Sequence, residues 1–306
     1  MKIAIVGSII VDLVARAARP PLAGETVTGD SLDIVPGGKG ANQAVACARM
    51  GCEAGLIGSI GADAFAGIAL ESLGRAGVVS DGIFRSERSR TGIAFVVIDA
   101  AAGNTILVLR GANDDLPPAH LDLNAARITG ADALLVQLEI PRPIVERAME
   151  IARRAGVPVL LDPAPAREIP DSILGLADFV TPNEQETRVL TGIDPTTPEA
   201  ALAAAAILHR RGAANVVVKL GARGCAVSSG GRREILAGFP AKAVDTVGAG
   251  DCFAGAMISR WLETRDLFEA CRFANAASAL KVQRPGAQAG IPTRAEVEAF
   301  LIAQGN

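Results

Sequence analysis

Short runs of consecutive apolar residues alternate along the chain with longer stretches in which apolar and small residues recur every three or four positions. The runs KIAIVG (2–7), AGLIGSI (54–60), ADALLVQLE (131–139), VPVLLDPA (157–164), ADFVTPNE (177–184) and ANVVVKLG (214–221) have the pattern of strands buried on both faces. Between them, Gly40 to Met50, Ala64 to Ala76, Pro143 to Ala155 and Pro198 to Arg211 carry helical periodicity. Thr197 before Pro198 fits an N-cap and first helical position, and TRAE at Thr293 to Glu296 fits a capping box opening a last helix. This order predicts an α/β fold: a central, mainly parallel sheet flanked by helices on both faces.

Two segments break the alternation. GETVTGDSLDIVPGG (24–38) and TGIAFVVIDAAAGNTILVLRGAN (91–113) have β-hairpin character, with Gly103-Asn104 as a turn signal in the second. They predict a small β-sheet inserted at about 13–36 and 91–110 of one 1–306 domain. That sheet is either a lid over a pocket or a peripheral decoration.

Composition narrows the class. Half of the 306 residues are hydrophobic, enough for one large core, and aromatics make up only 3%, so that core is built from small aliphatic side chains. A net charge of -3, with no Lys/Arg block beside aromatic residues, argues against nucleic acid as a partner. Five scattered cysteines, with no CxxC pair and two histidines, read as reduced thiols of a cytoplasmic protein. MKIAIVGS reads as a first strand entering a turn rather than a leader, and no run is long enough to span a membrane.

The glycine-rich turns hold the candidate chemistry. The turn GSIIVD after the first strand lacks G-x-G-x-x-G, which disfavours a dinucleotide-binding dehydrogenase, and Lys39 in PGGKGAN is followed by Gly40 instead of Ser or Thr, so it is not a Walker loop. Gly37, Gly38 and Gly40 would let backbone approach a ligand, with Lys39 and Asn42 as donors to a polyol at a helix start; the alternative is a plain turn with a solvated lysine. In DTVGAGDCF (245–253), GAGD opens a helix whose free amides would stabilise an anion, and the Asp251 carboxylate can take a proton from a hydroxyl that attacks phosphorus. Otherwise Asp251 merely caps the helix. Asp245 either holds a cation beside the turn or caps it. In TPNEQETRVL, Glu186 either orders Mg²⁺ through water or simply favours a helix start. VVKLGARGCAV is a hairpin or a loop lying against a nucleotide.

Together these motifs resemble the ribokinase branch of the PfkB carbohydrate kinase family, in order and over nearly the whole chain: GSIIVD, GETVTG, GGKGANQA, QLEIP, DPAPARE, TPNE, LGARG, DTVGAGDCF and RPGAQAGIP. The resemblance implies a mainly parallel sheet flanked by helices and a small β-lid that often mediates a homodimer. It implies ATP-dependent transfer of the γ-phosphoryl group to the O5 hydroxyl of D-ribose. Asp251 would be the base, with Gly248, Ala249 and Gly250 as the anion hole. The sugar would lie against Asp12, Gly38, Lys39, Gly40, Asn42 and Glu139. ATP would lie along Asn183, the turn of Lys219, Leu220, Gly221, Ala222, Arg223 and Gly224, then Gly250 and Asn275. Glu186 would help to order Mg²⁺, and a potassium-like ion would sit near Asp245, Val247, Lys281, Arg284, Gly286 and Gly290, mostly on backbone carbonyls.

Three positions depart from the family pattern. Ile10 stands where such kinases usually have an asparagine, and an aliphatic group leaves a sugar hydroxyl without a partner, at a cost of roughly 1–3 kcal/mol. That opens 2-deoxyribose, another pentose or a nucleoside as acceptor. Lys219 replaces a threonine or serine, its ammonium reaching a phosphate or pointing to solvent. Cys252, beside the base, is either redox-sensitive or a small packed residue. A rival of another class is a non-catalytic sugar sensor, which has no need of a base and an anion hole.

Overall fold

The computed structural model describes residues 1–100 and 103–305. In chain order its strands are β1 (Lys2–Val6), β2 (Ile10–Arg16), β3 (Ser31–Gly37), β4 (Glu53–Gly61), β5 (Val79–Ser86), β6 (Gly92–Ile98), β7 (Asn104–Leu109), β8 (Ala133–Val136), β9 (Val159–Leu161), β10 (Phe179–Val180), β11 (Asn215–Lys219), β12 (Cys225–Ser229) and β13 (Arg232–Leu236). The α-helices are α1 (Lys39–Arg49), α2 (Ala64–Arg75), α3 (Pro118–Leu123), α4 (Ala125–Thr129), α5 (Arg142–Arg154), α6 (Asp171–Leu174), α7 (Glu184–Thr191), α8 (Pro198–Arg210), α9 (Ala249–Thr264), α10 (Leu267–Lys281) and α11 (Arg294–Ala303).

The large sheet runs β13-β12-β11-β10-β9-β8-β1-β4-β5, parallel from β11 to β5 with β12 and β13 antiparallel at one edge. Alternate residues of its strands point to opposite faces, and each face has its own core. Ile3, Ile5, Leu135, Leu160 and Val217 pack under α1, α2, α9, α10 and α11. Ala4, Val6, Leu134, Val136, Leu161 and Val218 pack under α3 to α8. Each fully buried Ile, Leu or Val contributes roughly 1.5–3 kcal/mol, so the sheet's continuous apolar runs are what fix its double covering. The strand order reverses between β8 and β1, so the crevice beyond the carboxyl ends of the strands opens there.

The small sheet, β3-β2-β6-β7, is separate, and it departs from expectation at its start. Residues 24–38 are not a hairpin of their own: β3 pairs antiparallel with β2, from Ile10↔Gly37 to Arg16↔Ser31, and the chain between them is loop. GSIIVD is a turn only over residues 7–9, because Ile10 already begins β2. β6 and β7 pair antiparallel as expected, and residues 101 and 102 lie outside the described residues. Asn113 fastens the base of this sheet: its side chain accepts from Ile9 N–H (2.9 Å) and donates to the carbonyls of Ile9 (2.8 Å) and Arg110 (2.9 Å). Among the described residues no helix is long and apolar enough to cross a membrane.

Candidate active site

The sequence places Asp251 in the first turn of α9 because Gly248 makes the turn there, with φ 78° in the left-handed region that glycine adopts without strain. A glycine cap brings no side chain to compete for the amides. The Ala249 amide donates to the Thr246 carbonyl (3.2 Å), so among the described residues Gly250 and Asp251 keep the first-turn amides that face no acceptor. Of the expected anion donors, the Ala249 amide is thus already engaged, whereas Gly248 and Gly250 have no internal acceptor among the described residues.

The Asp251 carboxylate is buried and clamped from α1. Its Oδ2 accepts from Asn42 Nδ2 (2.9 Å) and its Oδ1 from Gln43 Nε2 (3.2 Å). Burial raises its pKa above the ordinary carboxylate value, Lys39 and the Asn42 hydrogen bond pull it down, and Asp162 and Glu139 push it up. Asn42 therefore positions the Asp251 carboxylate, and its Oδ1 accepts from Gln288 Nε2 (3.1 Å).

Lys39 is not a solvated lysine. Burial opposes its charge, yet Asp251, Asp162, Glu139 and Glu186 outweigh that and hold the ammonium charged well above the usual lysine range. Its backbone amide donates to Glu139 Oε2 (3.1 Å), which also accepts from Ser8 Oγ (2.5 Å). The neighbouring glycines make room for the protein's own chain. A Cβ on Gly38 would stand 2.6 Å from Ile10 N, one on Gly40 2.5 Å from the Gly7 carbonyl carbon, and one on Gly37 2.5 Å from Asp12 Oδ2. They let the start of α1 cross the β1–β2 turn in contact with it. On β2, Ile10 and Asp12 share the face opposite to Ile9 and Val11, which enter the core. Ile10 is buried but belongs to neither core. Burial, then Glu139 and Asp251, raise the Asp12 pKa to about 6.

A cavity of about 880 Å³ runs from Lys39 and Asp251 past Gly250 and Lys219 to Asn183, Asn275 and an apolar wall that includes Phe239, Ala243 and Val282. Lys219 does not point to solvent: its Nζ donates to Asp162 Oδ1 (2.7 Å), and a Cβ on Gly250 would stand 3.4 Å from that Nζ. Burial works against its charge, but Asp162 and Glu186 raise its pKa. Of the 219–224 turn, Gly221, Ala222 and Gly224 line the cavity. Leu220 packs in the core under α3 to α8, and Arg223 is held by Glu184 and the carbonyls of Thr196 (2.5 Å) and Pro195 (3.1 Å). Asn183 and Glu186 form a reciprocal capping box on α7, with Glu186 buried and still lining the cavity. Asn275 donates to the Leu236 (3.4 Å) and Ala237 (3.3 Å) carbonyls.

Two central residues were not singled out from the sequence. Asp162, at the carboxyl end of β9 in DPAPA, is buried and accepts from Lys219 and from Gln43 Nε2 (3.0 Å). Gln43, one turn into α1, thus bridges Asp162 and Asp251, and its Oε1 accepts from Gln137 Nε2 (2.6 Å). The signal for Asp162 was an acid closing a buried strand.

At Asp245 the carboxylate accepts from Val247 N–H (2.9 Å) and Gly286 N–H (2.7 Å). The fully buried Lys281 donates its Nζ to the Asp245 carbonyl (2.9 Å) and lies 3.7 Å from Oδ2. A potassium-like ion does not fit this donor set: two unit charges about 4 Å apart repel by about 4 kcal/mol in a partly buried setting. Arg284 is turned outward to Glu296 (2.7 Å). Cys252 is buried and its thiol is pushed up to about 12, first by burial, so it is a packed residue and not a thiolate.

A buried carboxylate in the first turn of a helix, facing a cavity with two ammonium groups, suits a phosphotransferase acting on an alcohol. The chain belongs to the PfkB family of carbohydrate kinases, whose family profile, described as pfkB family carbohydrate kinase, matches residues 1–294. It is 40% identical over 297 residues to a ribokinase of Haemophilus influenzae, covering 97% of each chain. It is 33% identical over 302 residues to a deoxyribokinase of Salmonella typhi, covering 98% of this chain and 99% of that one. The structure of Arabidopsis thaliana ribokinase complexed with ribose and ATP superimposes with a TM-score of 0.93 at 34% identity, covering 98% of both.

Proposed function

We propose that this chain is a ribokinase, transferring the γ-phosphoryl group of ATP to O5 of D-ribose. The observation that carries the reading is the clamped, buried Asp251 lining the large cavity beside Lys39, with Asp12 of the lid strand near enough to feel its charge. Asp251 accepts the O5 proton as that oxygen attacks phosphorus, and its raised pKa suits it to the task. The Gly250 and Asp251 amides, with Lys219 beside them, stabilise the negative charge that develops on the transferred group. Asp12, Lys39 and the free Oε1 side of Glu139 orient the sugar hydroxyls. The apolar wall around Phe239 and Val282 suits an adenine ring, and the glycine turn 221–224 suits its phosphates.

Among the described residues no cluster of three metal-ligating side chains occurs, which suits a Mg²⁺ ion that arrives on the nucleotide and keeps most of its waters. Glu186, lining the phosphate side of the cavity, would order those waters. When bound, the metal neutralises phosphate charge.

A second reading has its own support. Ile10 shares the Asp12 face of β2, so a sugar hydroxyl pressed against it finds no partner, and 2-deoxyribose has one hydroxyl fewer. ADP release with ribose, 2-deoxyribose, other pentoses and nucleosides separates the readings. Asp251→Asn is the control, expected to lower kcat by roughly two to four decades with sugar binding retained. Near-normal turnover by that variant would sink the base assignment, and sugar binding without ADP release from any substrate would mean a sensor. The exposed Leu32, Ile34, Phe95, Ile106 and Leu107 of the small sheet support a homodimer through the lid, checked by molar mass in solution. Five free, buried cysteines support a reducing, cytoplasmic setting.

A further inference from the structure

Among the described residues Lys281 has the largest fully buried side chain, and its ammonium is aimed at a backbone carbonyl instead of at solvent. Burying a charge this deeply is costly, so the surroundings must match it closely. They do so in part: the Asp245 carbonyl accepts at 2.9 Å and the Asp245 carboxylate stands at 3.7 Å, while burial still draws the Lys281 pKa below the ordinary lysine value. The same carboxylate ties two loops together, through Val247 N–H immediately before the anion-hole turn and through Gly286 N–H in the 284–290 loop.

Those loops touch the reacting centre. A Cβ on Gly248 would stand 3.1 Å from the Ala287 carbonyl oxygen, so the turn that presents the Gly250 and Asp251 amides rests on the 284–290 loop. One turn before Lys281 on α10, Ser278 Oγ donates to the Ala249 carbonyl (3.2 Å). The Lys281 charge is also felt at Asp251 and Cys252. One cation thus holds the platform on which the transferred group is stabilised.

We propose that the Lys281 ammonium is a built-in monovalent cation, a positioning group that keeps the anion hole formed without an added potassium ion. The inference rests on the kinase reading for its activity arm only. An ammonium and a potassium ion carry the same charge and both take backbone carbonyl oxygens. Here the side chain supplies from within the fold what a bound ion would otherwise supply, so phosphoryl transfer is indifferent to potassium.

The test compares potassium chloride with tetramethylammonium chloride at equal ionic strength, reading both ADP release and the melting temperature. For the unaltered protein, the exchange changes ADP release by no more than about twofold and leaves Tm where it was. Lys281→Ala loses roughly 100-fold in tetramethylammonium, and potassium or rubidium, but not lithium, restores most of the loss and raises Tm. A lysine needed only for packing would not be rescued by an ion of one size. Stimulation of the unaltered protein by potassium beyond about twofold, or a potassium-dependent Tm, overturns the proposal. So does a folded Lys281→Ala protein that potassium fails to rescue. If that variant does not fold, the unaltered protein's two readouts decide. If no sugar yields ADP, the kinase reading fails and the Tm comparison still tests Lys281.

Discussion

Gly255 holds the spacing on which the base depends, and adding a single methyl group there should disable the enzyme. A Cβ at Gly255 would stand 2.5 Å from Ala46 Cβ and 3.1 Å from Cys47 N. Carbon atoms prefer about 3.5–4.0 Å, so α1 and α9 have to part by about 1 Å. Asp251 lies one turn before Gly255 on α9, and Asn42 one turn before Ala46 on α1, so the same gap carries the 2.9 Å Asn42–Asp251 bond and the 3.2 Å Gln43–Asp251 bond. A further 1 Å takes both beyond hydrogen-bond length. Gly255→Ala is expected to lower kcat by about 100-fold through misplacement of the base, and stability by about 1–3 kcal/mol through overpacking. Steady-state ADP release and urea unfolding measure the two. Ala46→Gly in the same chain removes the obstructing carbon and should recover most of the rate. A Gly255→Ala protein that loses stability but keeps kcat within about twofold would refute the argument that this helix crossing sets the base.

Further predictions follow from the charged groups and the lid. Lys219→Met leaves Asp162 buried without its cation, and is expected to lower stability by about 3–5 kcal/mol, read by denaturant unfolding; an unchanged midpoint would mean that Gln43 alone satisfies Asp162. Because the base works deprotonated and Asp12 is raised to about 6, kcat/KM for the sugar should climb with pH up to and past that value and then level. Lys39→Met removes a charge that lowers the Asp251 pKa, so the rising limb should move to higher pH; a limb that stays in place would detach Lys39 from the base. Sugar binding should slow amide exchange in β6 and β7, and exchange that is unchanged there would count against lid closure.

What the sequence made legible depended on local signals. The sheet and its two helical layers followed from continuous apolar strands, and Asp251 and Lys39 stood out because glycines mark their turns. Those glycines have a further role that no local pattern shows: 37, 38 and 40 clear room for Asp12, Ile10 and Gly7, a need visible only when the segments meet. β5 was missed because VSDGIFRS lies at a sheet edge, where polar Ser80 and Asp81 break the apolar run. β2 was read as beginning late because Ile9, Ile10 and Val11 form one apolar run, although Ile10 faces the site while its neighbours face the core. Gln43 and Asp162 are 119 residues apart, and no local pattern joins them. Lys281 read as one more residue near an expected ion; only the direction of its side chain makes it the cation itself.

The two cores divide the molecule's freedom to vary. α1, α9 and α10 hold Lys39, Asn42, Gln43, Asp251 and Asn275, and all three pack in the core shared with α2 and α11. On the opposite face only α7 brings side chains to the cavity, Glu184, Gln185, Glu186 and Arg188, while α3 to α6 and α8 bring none among the described residues. Volume changes on the first face are transmitted to the reacting atoms, as at Gly255. On the second they reach the cavity only through α7 and the Leu220 turn. Lineages can therefore rewrite α3 to α6 and α8 more freely than the first face, and engineering for heat resistance belongs on that side.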